Sequence, residues 1–119
     1  MSKAVEIIQK FDELRQGTIA GMPWSLISKL TKPNQPLVGY LDVPYARLFQ
    51  EFGQPKSGAG KNIANWYIRF GDNSEVWVYN QESDAQPERV NKGWLVAGDK
   101  KAAVRLSRML GGTFRKMKF

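Results

Sequence analysis

Residues 63–80 constrain the fold more than any other stretch. Two runs rich in β-branched and aromatic residues, 63–70 and 75–80, flank Gly71-Asp72-Asn73-Ser74, a cluster of turn formers. Successive side chains of a strand point to opposite faces. Trp66, Ile68 and Phe70 therefore share one face, and Tyr67 and Arg69 the other. On the return strand Val76 and Val78 share a face, with Trp77 and Tyr79 opposite. This pattern predicts a β-hairpin. A lone hairpin is marginal in water, so the remaining chain must widen it into a sheet and cover at least one face.

The N-terminal part carries a different period. Val5, Ile8, Phe11 and Leu14 recur at helical spacing with Ile7 beside them. This predicts a first helix over residues 2–16, with Ser2 as N-cap and Gly17 as stop. Residues 17–23 are expected to turn and 24–29 to form a short helical segment, ended by Lys32-Pro33-Asn34-Gln35-Pro36. Residues 37–41 form a short predicted strand. Asp42 is placed to cap a helix with Pro44 in its first turn, with Leu48, Phe49 and Phe52 on its buried side and Gly53 and Pro55 at its end. A polar loop over 81–91 leads to a third strand at 94–97. Asp99 then caps a last helix over 100–110, closed by Gly111-Gly112. In that helix Ala103, Leu106 and Leu110 face the core, with Ala102 and Met109 beside them, while Lys101, Arg105 and Arg108 lie on another side. The tail alternates Phe114, Met117 and Phe119 with bases, as an edge strand or a frayed end would.

The expected fold class is α+β: N-terminal helices, a central antiparallel β-meander of about three to four strands, and a C-terminal helix packed on the sheet. The 119 residues suit a single domain, with a helical part at 1–36, an α+β core at 37–112 and a basic tail at 113–119.

Composition narrows the chemistry. The chain has no Cys and no His. That excludes a disulfide framework, a thiolate nucleophile, a zinc finger, a Ser-His-Asp triad and any His-ligated metal. Only an all-oxygen Mg²⁺ or Ca²⁺ site stays open. Glu6, Lys10, Asp12 and Glu13 interrupt the apolar residues near the N-terminus, unlike the core of a signal peptide. No apolar run reaches the length of a membrane span. A cytoplasmic chain with no membrane partner and no cofactor is expected.

The charge is unevenly placed. Residues 1–99 carry 11 basic and 11 acidic side chains, so the formal charge of +7 belongs wholly to the last twenty residues. These hold Lys100, Lys101, Arg105, Arg108, Arg115, Lys116 and Lys118, with no acid. Such a block suits phosphates or an acidic protein surface. It equally suits a solvated helix face whose basic end complements the helix dipole. Tyr67, Arg69, Trp77 and Tyr79 form a second candidate set, since aromatics with Arg on a sheet stack single-stranded bases. The alternatives for that face are cover by helices or by a second copy of the chain.

Other motifs are weaker. Gly58-Ala59-Gly60-Lys61 resembles part of a phosphate-binding loop, but Pro55 stands where the first Gly is needed and Asn62 where Ser or Thr is needed. A strand, not a helix, is expected to follow. What remains is a loop whose Lys56 and Lys61 touch a phosphate at most. Asp99-Lys100-Lys101 has the spacing of a nuclease acid-x-Lys pair but sits at a predicted helix start. Asp72, Glu75, Glu82 and Asp84 lie in or near turns, where acids are common without catalysis. No catalytic residue and no metal site is assigned, and an enzyme is not expected.

From residue 38 to 112 the order of motifs resembles small uncharacterised proteins of bacteriophages and other large DNA viruses. The motifs are Gly39-Tyr40-Leu41-Asp42-Val43 with Phe52-Gly53-Gln54-Pro55, Trp66-Tyr67-Ile68-Arg69-Phe70, Val76-Trp77-Val78-Tyr79-Asn80 and Trp94-Leu95-Val96-Ala97-Gly98, then the helix with Ala103-Val104. Where those proteins often carry Gly-Gly-His, this chain has Ala97-Gly98-Asp99. The resemblance implies a small viral protein that works by binding in the host cytoplasm. Three functions are compatible with the residues. The first is nucleic-acid binding through the basic helix and tail. The second is inhibition of a host defence or nucleic-acid-processing protein through an acidic surface, anchored by Trp24 or Trp77. The third is sequestration of a nucleotide signal in an oligomeric pocket lined by the Lys56–Lys61 loop and the basic helix.

Overall fold

The computed structural model describes residues 15–32, 35–56, 62–81 and 87–117. Seven antiparallel strands form one sheet: β1 (Gln16–Ile19), β2 (Met22–Leu26), β3 (Leu37–Asp42), β4 (Asn62–Phe70), β5 (Glu75–Gln81), β6 (Trp94–Gly98) and β7 (Thr113–Lys116). Among the described residues two helices accompany them, α1 (Tyr45–Phe52) and α2 (Lys100–Met109), with one 3-10 turn at Pro87–Arg89. The strand order is β1-β2-β4-β5-β6-β3-β7.

The expected hairpin is β4–β5. Its register pairs Trp66 with Val78, Ile68 with Val76, Tyr67 with Trp77 and Arg69 with Glu75. The apolar set of both strands thus falls on one face. Leu41 and Trp94 are register partners on that face. Both helices lie against it, and one continuous core joins Leu48 and Phe52 of α1, Ala102, Ala103 and Leu106 of α2, and Trp24, Trp66, Ile68, Val76, Val78 and Trp94 of the sheet. No helix among the described residues covers the opposite face.

Two buried tryptophans hold α1 by both flanks. Trp66 Nε1 donates to the Gly53 carbonyl after the helix (2.9 Å), and Trp94 Nε1 to the Val43 carbonyl before it (3.0 Å). Their rings meet edge to face at 5.3 Å, and Tyr45 packs on both. An eight-residue helix has little intrinsic stability, so its position is set by these contacts and by Leu48 and Phe52.

The N-terminal expectation is corrected. Residues 17–29 contain no helix: Gln16–Leu26 forms a β-hairpin that continues the same sheet, and the segment placed as a helix at 24–29 begins inside β2. Trp24 and Leu26 pair with Phe70 and Ile68 on β4. The edge of β4 leaves unpaired backbone groups that a strand satisfies and a helix does not, and Met22–Leu26 has the alternation to supply one. The predicted first helix at 2–16 lies outside the described residues except for its end, where Gln16 begins β1. The sheet accordingly has seven strands instead of three to four, and residues 15–26 belong to the same core as 37–112. The tail is an edge strand, since β7 pairs with β3.

Smaller corrections follow from tertiary contacts. Asp42 does not cap α1. Pro44 holds that position with no side-chain cap, and the first-turn amide of Tyr45 donates instead to the Val90 carbonyl (3.0 Å). Phe49 lies off the Leu48–Phe52 stripe and is 45% exposed. Asp99 does cap α2, accepting from Ala102 N at 2.9 Å. Gly39 is required by close approach: a Cβ there would stand 2.6 Å from the Phe114 ring and 2.3 Å from the Arg115 carbonyl.

Two predictions follow. Ala20 and Gly21 close the β1–β2 turn with φ of 49° and 81°. A left-handed conformation suits Asn far better than Ala, so Ala20→Asn should raise stability by about 1 kcal/mol, read as an upward shift in thermal midpoint. Trp66→Phe should lower it by about 2–3 kcal/mol, because the Gly53 carbonyl is left buried and unpaired and the site loses volume. Urea titration would measure this, and an unchanged midpoint would remove the tryptophan from its clamping role.

Candidate nucleic-acid interface

The C-terminal bases divide into two groups. Arg105 binds Asp72 (2.9 Å), donates to Ser74 Oγ (3.0 Å) and lies 5.0 Å over the Phe70 ring. Arg115 binds Asp42 through Nε (2.7 Å) and Nη2 (3.1 Å) and lies 5.0 Å over the Tyr40 ring. These two arginines are spent on intramolecular partners. Arg105 holds the Asp72 carboxyl far below the usual carboxylate range, together with Ser74. Arg115 likewise lowers Asp42, helped by the Gly93 amide.

Among the described residues the second group makes no ion pair. Lys100 at the start of α2, Arg108 near its end and Lys116 on β7 line one groove of about 380 Å³, with Val104, Ser107, Gly112, Thr113 and Phe114 as its other walls. Lys100 and Arg108 are separated by about 12 Å along the helix axis. Lys116 on β7 pushes the Lys100 amine below the ordinary lysine value. The fold thus holds like charges together. Lys101 lies on the flank of α2 nearer Asp72 and Asp99. Lys118 lies outside the described residues.

The aromatic set does come together on the open face of the sheet. Tyr67 and Trp77 stack at 5.4 Å with planes 11° apart, and Trp77 and Tyr79 at 3.9 Å and 20°. Trp77 Nε1 donates to Asn65 Oδ1 (2.9 Å), and Asn65 Nδ2 donates to the Lys56 carbonyl (3.1 Å), which fixes the indole. Burial pushes the phenols of Tyr67 and Tyr79 above the ordinary tyrosine value. Trp77 is thus stacked between the two tyrosines.

Arg69 is the fourth member, and its charge is used internally. It donates to Glu75 Oε2 through Nε and Nη2, both at 2.9 Å. Glu75 is only 4% exposed and also accepts from Thr31 N (2.9 Å) and Thr31 Oγ1 (2.7 Å). The β2–β3 connection must pass three intervening strands, and Thr31 pins it to the start of β5. Burial raises the Glu75 carboxyl, but the bonds from Thr31 and Arg69 outweigh it and leave it below its ordinary value.

The residues expected to act together therefore lie on two sides of the sheet. Lys100, Lys101, Arg105, Arg108 and Lys116 belong to the helix side. Tyr67, Arg69, Trp77, Tyr79 and Arg115 belong to the open side. Lys56 bridges to Asn65 on β4, four strand positions or about 19 Å from β7, so it does not share the basic groove. Lys61 lies outside the described residues. Trp24 is 6% exposed and packs against Phe52, which removes it as a surface anchor. Tyr40, Asp42 and Met117, none of them a candidate site residue in the sequence, join Arg115 on the open side. Alternation places Tyr40 opposite Leu41, but only the β3–β7 pairing brings it to Arg115.

Among the described residues no cluster of acidic side chains could hold a metal ion, and no helix is long and apolar enough to cross a membrane. Compared with models of protein families, with curated proteins and with solved structures, the chain matches none.

Glu75 makes a pH-dependent contribution. Its carboxyl is lowered in the folded state, so the stabilisation is complete above the ordinary carboxylate range and is lost as pH falls through that range to the lowered value. Glu75→Gln should cost about 2 kcal/mol at neutral pH. The gap between the two proteins should narrow as pH falls below about 4. Denaturation at several pH values checks this, and a gap that stays constant would contradict it.

Proposed function

We propose that the protein is a non-enzymatic nucleic-acid-binding protein that holds the phosphate backbone in the groove between α2 and β7. One observation carries this reading: Lys100, Arg108 and Lys116 converge on a single concavity whose lining, among the described residues, contains no acid. Arg69, Arg105 and Arg115 are paired with Glu75, Asp72 and Asp42, while none of the described acids lines this groove. Bringing like charges together opposes folding, and a bound polyanion relieves that cost. The resemblance to small viral proteins supplies the setting, the cytoplasm of an infected cell.

A protein partner is the second reading, favoured by Phe49 on α1, a large apolar side chain that is 45% exposed. An anchor of this kind suits a protein surface and not a phosphate. The nucleotide-sequestering reading is weakened by the separation of Lys56 from the groove.

The test is anisotropy with labelled oligonucleotides over a salt series. Each neutralised phosphate releases counterions, so log affinity should fall linearly with log salt with a slope of about −2 to −3 for three contacts. Lys100→Ala, Arg108→Ala and Lys116→Ala should each reduce the magnitude of that slope by about 1 or less. Affinity that is flat in salt, or slopes indifferent to all three substitutions, would sink the proposal.

A further inference from the structure

A second concavity lies on the other side of β7, lined by Tyr40, Arg115, Lys116 and Met117. It shares Lys116 with the basic groove. Edge strand β7 is therefore a ridge between the two, with Phe114 and Lys116 facing the helix side and Arg115 facing the open side. Arg115 is 53% exposed at its side chain, yet it is not loose. Asp42 grips Nε and Nη2, and the Tyr40 ring backs the guanidinium at 5.0 Å. A bidentate carboxylate neutralises this cation and also fixes its plane. The result is a flat, pre-oriented plate whose rotamer entropy is already lost before any ligand arrives.

We propose that this plate is a base-stacking site and that the nucleic acid bound is single-stranded. On this proposal, which rests on the phosphate-groove reading above, a strand crosses the β7 ridge. Its phosphates lie against Lys100, Arg108 and Lys116, and one unpaired base stacks on Arg115 beside Met117. Guanidinium planes stack on bases readily. A duplex keeps its bases inside and offers the plate nothing. Arg115 thereby changes role from phosphate contact, the part its charge suggests, to stacking surface. The Tyr67–Trp77–Tyr79 cluster is not required, because its rings already face one another.

The experiment measures anisotropy at one salt concentration with three probes of equal length: a single strand, a duplex, and a single strand with abasic sites. The proteins are the wild type, Arg115→Lys, Asp42→Asn and Lys100→Glu/Arg108→Glu, each checked for folding by circular dichroism. The wild type should prefer the intact single strand to the abasic strand and to the duplex by about tenfold, the stacking of one base. Arg115→Lys keeps the charge and loses the plane, so it should abolish that preference and leave abasic binding unchanged. Asp42→Asn, which keeps shape but loosens the plate, should reduce the preference partway. Equal affinity for intact and abasic strands, or an Arg115→Lys protein with the full preference, overturns the stacking site. Unchanged binding by Lys100→Glu/Arg108→Glu overturns the groove reading itself, so the two failures are distinct.

Discussion

The indole N–H groups of Trp66 and Trp94 organise the molecule. Each reaches from the centre of the sheet to a backbone carbonyl at one flank of α1, Gly53 and Val43 respectively. Each tryptophan is at most 1% exposed, so an unmet N–H there would carry the full desolvation cost of a buried donor. Satisfying both leaves one position for the short helix. That position seals the Trp24, Trp66 and Trp94 half of the core face, and α2 covers the half nearer β7. Both helices are committed to one side, and the sheet's other side is left to polar and aromatic residues.

The charges are sorted by geometry. Arg69, Arg105 and Arg115 each meet a carboxylate at the sheet or its turns, and two of them also lie on an aromatic ring. The guanidinium suits such sites because it offers several donors in one plane and tolerates stacking. Lysine offers neither, and Lys100 and Lys116 are found where none of the described acids meets them. The chain's positive excess is thereby concentrated on α2 and β7, although the arginines contribute to the formal count.

Edge strand β7 gains its importance from topology. It pairs only with β3, and β3 itself is inserted beside β6 after the chain has crossed the sheet. On that crossing Thr31 meets the buried Glu75 carboxylate. A contact on the central strand β5 thus lies on the path of the chain to β3, whose Tyr40 meets Arg115 at the sheet edge. Gly39 completes the arrangement, since any side chain there would displace Phe114 and with it β7.

Much of this was legible in the residues. The β4–β5 hairpin, its two faces, the Gly53 stop and the Asp99 cap follow from alternation, turn chemistry and capping, all of which act over a few residues. So does the placement of Tyr67, Arg69, Trp77 and Tyr79 on one face. The N-terminal hairpin was not legible, because Met22–Leu26 carries one fully buried core residue, Trp24, and its strand state is imposed by the open edge of β4. Nor was the division of the bases: Lys116 and Arg115 are adjacent in the chain, and pairing with β3 sends them to opposite sides of the sheet. Local patterns determined the elements from residue 37 onward and which of their residues share a face. Strand order, the partners of each arginine and the acid-free groove were decided by tertiary structure, because long-range pairing alone brings residues such as Asp42 and Arg115 together.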